Sequence, residues 1–143
     1  MDILVVEDDP TAREIIKATL ETTEHTSTFT GSAEEGIKKV GEKNFDVILL
    51  DYHLPKMSGL DFCNTVRNTR SPLHNPKLWI IAHTTSQDIG VIKDILAAGA
   101  NDYLPKPIHP HLLLLKIITA QFHLARTRAL LLRIQELEKM VSN

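Results

Sequence analysis

Val47-Ile48-Leu49-Leu50-Asp51-Tyr52-His53-Leu54-Pro55, followed by Met57-Ser58-Gly59, decides the fold of this chain. The apolar run that begins at Phe45 is too short for an independent helix, is rich in residues that suit a strand buried on both faces, and stops abruptly at a carboxylate. Pro55 and Gly59 then punctuate a loop before a helix expected from about Leu60 to Asn68. A buried strand, an acidic residue at its C-terminal end and a helix that carries the chain back form one unit of a parallel α/β sheet.

The same unit recurs in both directions. Upstream, Ile3-Leu4-Val5-Val6 ends at Glu7-Asp8-Asp9-Pro10, and Pro10 suits the first turn of a helix carrying Ile15, Ile16 and Leu20. Thr26 to Phe29 is a second strand, after which Ser32 can cap a helix through Val40 with Glu35 at the capping-box position. Downstream, residues 69 to 77 form a polar connector with Pro72 and Pro76, Leu78 to Ala82 is a fourth strand, and Gln87 to Ala98 is a helix ended by Gly99. Asp102 to Leu104 is a short fifth strand. Five strands alternating with five helices imply a parallel sheet covered on both faces, with right-handed crossovers and a site at the strand C-termini.

Composition agrees with one such domain. The 143 residues are 43% hydrophobic, enough for a core without disulfides or a structural metal. The single Cys63 can form no internal disulfide and reads as a small hydrophobe. No apolar run reaches the ~20 residues needed to span a bilayer, and the N-terminus lacks the layout of a secretory signal, so a cytoplasmic location is expected. A net charge of -2 gives no global reason to expect binding to nucleic acid or membrane.

The polar residues gather on one edge of this sheet: Glu7, Asp8 and Asp9 after strand one, Asp51 after strand three, Thr84 and Thr85 after strand four, Lys106 after strand five. Carboxylates crowded together repel one another and lose solvation, so a bound cation or Lys106 is needed to keep them ionised. Oxygen donors without a Cys or His cluster favour Mg²⁺, or Mn²⁺, over zinc.

Four segments together resemble the motifs of response-regulator receiver domains: Val5 to Asp9, Val47 to Pro55 with Met57 to Gly59, Thr84-Thr85, and Gly99-Ala100-Asn101-Asp102-Tyr103-Leu104-Pro105-Lys106-Pro107. The resemblance covers about residues 1 to 123. It implies the strand order 2-1-3-4-5 shared with flavodoxin, a flavodoxin-like (βα)5 three-layer sandwich. It also implies that Asp51 takes a phosphoryl group from a phosphohistidine of a sensor histidine kinase or phosphotransfer protein. By the same resemblance Asp8 binds Mg²⁺ directly, Glu7 through water and His53 through its backbone carbonyl. Lys106, Thr84 and the backbone N–H of Thr85 hold the phosphoryl oxygens, while Asp9 is the extra acid. Thr84 and Tyr103 form the switch, Lys106-Pro107 matches a cis peptide, and the domain is a phosphoacceptor rather than an enzyme with turnover.

Thr85 and His83 depart from the pattern, which favours small residues after Thr84 and apolar or small ones before it. His83 and Trp79 read as packing or surface residues rather than ligands. Loop acids can also be solvated caps, Lys106 a surface lysine and Tyr103 ordinary packing. A haloacid-dehalogenase-like phosphatase would use an aspartyl phosphate too, but it needs a second Asp where His53 stands. A glycine-rich nucleotide loop is absent. A receiver used only as a scaffold is the remaining alternative, against which the full acidic, Thr and Lys set speaks.

From Pro110 one helical pattern continues to the chain end, roughly 48 Å long at ~1.5 Å per residue. Residues 107 to 143 carry 2 acidic and 5 basic side chains, against 16 and 11 in residues 1 to 106. Leu113, Ile117, Ala120 and Leu124 are expected to pack on the sheet. Leu130, Ile134, Leu137 and Val141 repeat the spacing on a shifted face, so residues 124–143 form either a coiled-coil stalk joining two copies as a homodimer or a solvated linker to an output domain.

Overall fold

A computed structural model describes residues 1–142; Asn143, the last residue of the expected extension, lies outside the described residues. In chain order the elements are β1 (Asp2–Val6), α1 (Pro10–Leu20), β2 (Thr26–Thr30), α2 (Ala33–Glu42), β3 (Val47–Asp51), α3 (Gly59–Arg67), β4 (Trp79–Thr84), α4 (Ile89–Ala97), β5 (Asp102–Pro105) and α5 (Pro110–Ser142). The strands form one sheet in the order β2-β1-β3-β4-β5, every pairing parallel, as expected.

Alternation along the strands divides the core into two layers. Leu4, Val6, Ile48, Leu50, Ile80 and Ala82 face one side, where Phe62, Val66 and Ile95 of α3 and α4 cover them. Ile3, Val5, Val47, Leu49 and Ile81 face the other, against Ile16 and Leu20 of α1 and Leu113, Ile117 and Ala120 of α5. Both faces are dry, which is why the inner strands read as continuous apolar runs rather than as alternating ones.

Element ends differ from the sequence reading where hydrogen bonding outruns hydrophobicity. β4 continues past Ala82 because Asp51 pairs in register with His83, and His83 and Thr84 pair with Leu104 and Pro105. α4 starts at Ile89 because Asp88 caps it, accepting from the backbone N–H of Gly90 at 2.7 Å. Ser32 caps α2 as expected, but the Glu35 carboxylate accepts from Gly31 N–H at 3.3 Å rather than closing a box on Ser32. The complete capping box lies instead at Ser58 and Asp61, and fixes the start of α3 beside the Asp51 loop.

Arg67 fastens the lower edge of the sheet. Its guanidinium donates to the carbonyls of Gly99 at 3.0 Å, Asn75 at 2.8 Å and Leu78 at 2.6 Å, and to the Asn101 side chain at 2.8 Å. Gly99 has φ 117°, a left-handed conformation that ends α4, and a Cβ there would lie 2.5 Å from Arg67 Cγ.

α5 begins beside the strand C-termini and runs down the sheet. Leu113, Ile117 and Ala120 are buried and Leu124 is half-buried, as expected. The helix leaves the domain past a stack of the His123 and Trp79 rings, centroids 4.4 Å apart, and an Arg128–Asp46 ion pair of 3.5 Å. From Arg128 to Ser142 every residue is exposed.

Candidate functional site

Parallel strands place their C-terminal ends along one edge, so residues far apart in sequence meet there. Glu7 and Asp8 follow β1, Asp51 ends β3, Thr84 ends β4 and Lys106 follows β5. Carboxylate oxygens of Glu7, Asp8 and Asp51 lie within 4.8 Å of one another. Asp51 is only 1% exposed, and its Oδ1 accepts from Lys106 Nζ at 2.8 Å and from the backbone N–H of His53 at 3.0 Å. Both donors converge on Oδ1, which leaves Oδ2 as the oxygen available to a reacting group.

Electrostatics separate the two neighbouring aspartates. Burial works to raise the Asp51 carboxyl, but the Lys106 ammonium, the His53 N–H and Asp8 outweigh it and hold Asp51 below the usual carboxylate range. Asp8 moves upward, through desolvation first and then through its hydrogen bond with Asp51 and the charge of that carboxylate. Of the two, Asp51 is therefore the carboxyl favoured in its ionised form and Asp8 the one that gains a proton first as pH falls. Lys106 thus leaves part of the negative charge of the cluster uncompensated. Three oxygen donors so arranged suit a hard divalent cation of the Mg²⁺ type.

The other acids and hydroxyls have distinct positions. Asp9 caps α1, its Oδ2 accepting from Ala12 N–H at 3.0 Å, so its carboxylate is engaged outside the cluster. Thr84 is fully buried; its Oγ1 accepts from Ser86 N–H at 3.1 Å and lies 3.0 Å from His53 Nε2. Thr85 is exposed and lines, with Glu7, His83, Lys106, Pro107 and Ile108, a cleft of about 380 Å³. Tyr103 is half-buried on β5, with the Lys116 ammonium 5.4 Å from its ring centroid. Lys106-Pro107 is the cis peptide expected from the sequence.

His83 is the residue whose contact sequence reasoning missed. It is 1% exposed, and its Nδ1 lies 3.0 Å from Glu7 Oε2, while Glu7 Oε1 accepts from Asp9 N–H at 3.2 Å. The other ring nitrogen of His83 is buried with no hydrogen-bond partner among the described residues. Trp79, by contrast, packs at the opposite end of β4, far from this edge.

An acid cluster, a hydroxyl and a lysine thus meet at the carboxyl edge of a doubly wound parallel sheet. The sequence pattern of the response regulator receiver domain matches residues 3–118, and the chain belongs to that family. It is 36% identical over 107 residues to the probable C4-dicarboxylate response regulator DctR of Halalkalibacterium halodurans, covering 73% of this chain and 44% of that protein. It is 34% identical over 131 residues to a cyclic di-GMP phosphodiesterase of Thermotoga maritima, covering 88% of this chain and 33% of that protein. A CheY-like response regulator receiver domain protein from Methanospirillum hungatei superposes with a TM-score of 0.77 at 28% identity, over 88% of this chain and 97% of that one. The chain thus spans less than half the length of these two curated relatives. Membership places it among the phosphorylation-dependent switches of two-component signalling.

Proposed function

We propose that Asp51 is the phosphoacceptor, in a reaction that depends on Mg²⁺ or Mn²⁺. The supporting observation is a buried, ionised carboxylate with Lys106 Nζ at 2.8 Å, set against Glu7 and Asp8. Asp51 Oδ2 attacks the phosphorus of a phosphohistidine on a sensor histidine kinase or phosphotransfer protein; the O–P bond forms as the N–P bond breaks, and the histidine leaves with the bonding pair. A divalent ion, when bound, offsets charge on the phosphoryl oxygens. Asp8 and Asp51 would hold it directly, with Glu7 acting through water and His53 through its backbone carbonyl. Lys106 neutralises a further oxygen, while Thr84 and the Thr85 N–H complete the cradle. The domain assists its own phosphorylation and dephosphorylation rather than turning over an external substrate.

Thr84 carries the change outward to Tyr103 in this reading. Its hydroxyl must exchange His53 for a phosphoryl oxygen, and the half-buried ring on β5 takes up the space released. Residues 1–123 form the receiver unit, in the cytoplasm. Residues 124–143 bring two copies together as a homodimer, with further contacts around α4 and α5. Among the described residues no helix is long and apolar enough to cross a membrane.

Nothing in the site favours the phosphatase reading, because the ring at His53 is engaged with Thr84 and supplies no second carboxylate. Radiolabel transfer from a phosphohistidine donor tests the proposal. Label should reach the chain only with a divalent ion present, and transfer undiminished in excess chelator would refute the metal requirement.

A further inference from the structure

We propose that residues 127–141 pair with the same segment of a second copy as a parallel, in-register, two-stranded coiled coil, whose alignment is set by Arg133 of one chain against Glu138 of the other. The inference rests on the homodimer reading above and specifies its geometry.

One helix carries two apolar seams. Leu113, Ile117 and Ala120 are at most 2% exposed, whereas Leu130, Ile134, Leu137 and Val141 are 61%, 50%, 43% and 87% exposed. The second seam is not the first one running past the domain. Leu130 stands six positions after Leu124, which on a helix of ~3.6 residues per turn rotates it roughly a third of a turn away from the covered face. The His123–Trp79 ring contact and the Arg128–Asp46 pair tie the helix to the body, and among the described residues nothing beyond them covers the stripe. A free helical stretch of this length is marginal in water, so a partner must supply its stability.

Residue identities select the partner. Spacing from 130 to 141 assigns Ile134 and Val141 to heptad positions a, Leu130 and Leu137 to positions d. β-Branched residues at a with leucine at d favour two parallel strands. Arg133 then occupies position g and Glu138 the e position of the next heptad, which face each other across a parallel dimer. An antiparallel pair would instead bring g against g and e against e, setting arginine near arginine and glutamate near glutamate. Among the described residues Arg133 pairs with its own Glu136, at 3.2 Å and with both side chains 64% exposed, so little holds it from a second partner. α5 starts just after Lys106 and Pro107 and ends in this segment, so a change at the phosphoryl site has a continuous helix on which to act.

Single introduced cysteines in the 143-residue chain test the arrangement, since the native Cys63 is buried. Leu137→Cys should form an interchain disulfide under mild oxidation, and Glu136→Cys, on the outer face, should not. Light scattering at tens of micromolar should give a dimer for the unmodified chain. Arg133→Glu and Glu138→Arg should each weaken it severalfold, and an equimolar mixture of the two variants should recover it. A monomeric native chain would overturn the homodimer and this geometry together. A dimer that neither cross-links through residue 137 nor responds to the charge reversals would overturn the coiled coil alone and place the contact elsewhere.

Discussion

His83 and Glu7 meet at 3.0 Å, Nδ1 to Oε2, one from the end of β4 and one from the loop after β1, with both side chains closed to solvent. Asp51 on β3 lies between these strands in the sheet order, so the pair braces the acid cluster from the α1 and α5 side. A buried carboxylate without its donor is costly. His83→Ala should lower stability by about 1–3 kcal/mol in urea unfolding, and weaken Mg²⁺ binding measured by calorimetry. His83→Asn, whose amide can stand in for Nδ1–H, should restore much of the metal affinity. Equal losses for the two variants would reduce His83 to a space-filling role.

His53 contacts the site twice, through its N–H to Asp51 and its ring to Thr84. His53→Ala keeps the backbone contacts and frees the Thr84 hydroxyl to meet a phosphoryl oxygen. Its rate of modification by a small phosphodonor should therefore rise, by a few-fold if one hydrogen bond of about 1 kcal/mol restrained the hydroxyl. An unchanged or slower rate would show that the ring does not hold Thr84 back.

Asp8 and Asp51 make opposite contributions to pH dependence. Asp51, held low, adds stability that is present above its unfolded value and lost as pH falls through the folded one. Asp8, pushed up, favours the folded state below its unfolded value and loses that contribution as pH rises through the folded one. In metal-free buffer at neutral pH, Asp8→Asn should raise the midpoint of thermal unfolding, because it removes a carboxylate repelled by Asp51. Added Mg²⁺ should raise the midpoint of the native chain and have much less effect on the variant. A variant less stable than the native chain in metal-free buffer would contradict the charge assignment.

The parallel strands and the edge that carries the candidate site could be read from the sequence, because buried parallel strands announce themselves as apolar runs ending in polar residues, whereas the strand order and the residue roles came from the resemblance to receiver domains. Asp51, Glu7, Asp8 and Lys106 were legible for that reason, and the structure brings them together. The end of β4 was not, since the apolar run stops at Ala82 while the ladder continues to Thr84. His83 could be seen to depart from the expected small or apolar residue, but not to reach Glu7, because no local pattern connects positions 76 residues apart. Arg67 was invisible for the same reason: its partners include backbone carbonyls of two separate segments, Asn75 and Leu78 before β4 and Gly99 after α4.

Intact-mass spectrometry after incubation with acetyl phosphate and Mg²⁺ is the most direct test of Asp51 as the phosphoacceptor. The native chain should gain the mass of a single phosphoryl group, lose it in alkali as an acyl phosphate does, and remain unmodified in excess chelator. Asp51→Asn should gain nothing under the same conditions. Undiminished labelling of that variant would contradict the assignment.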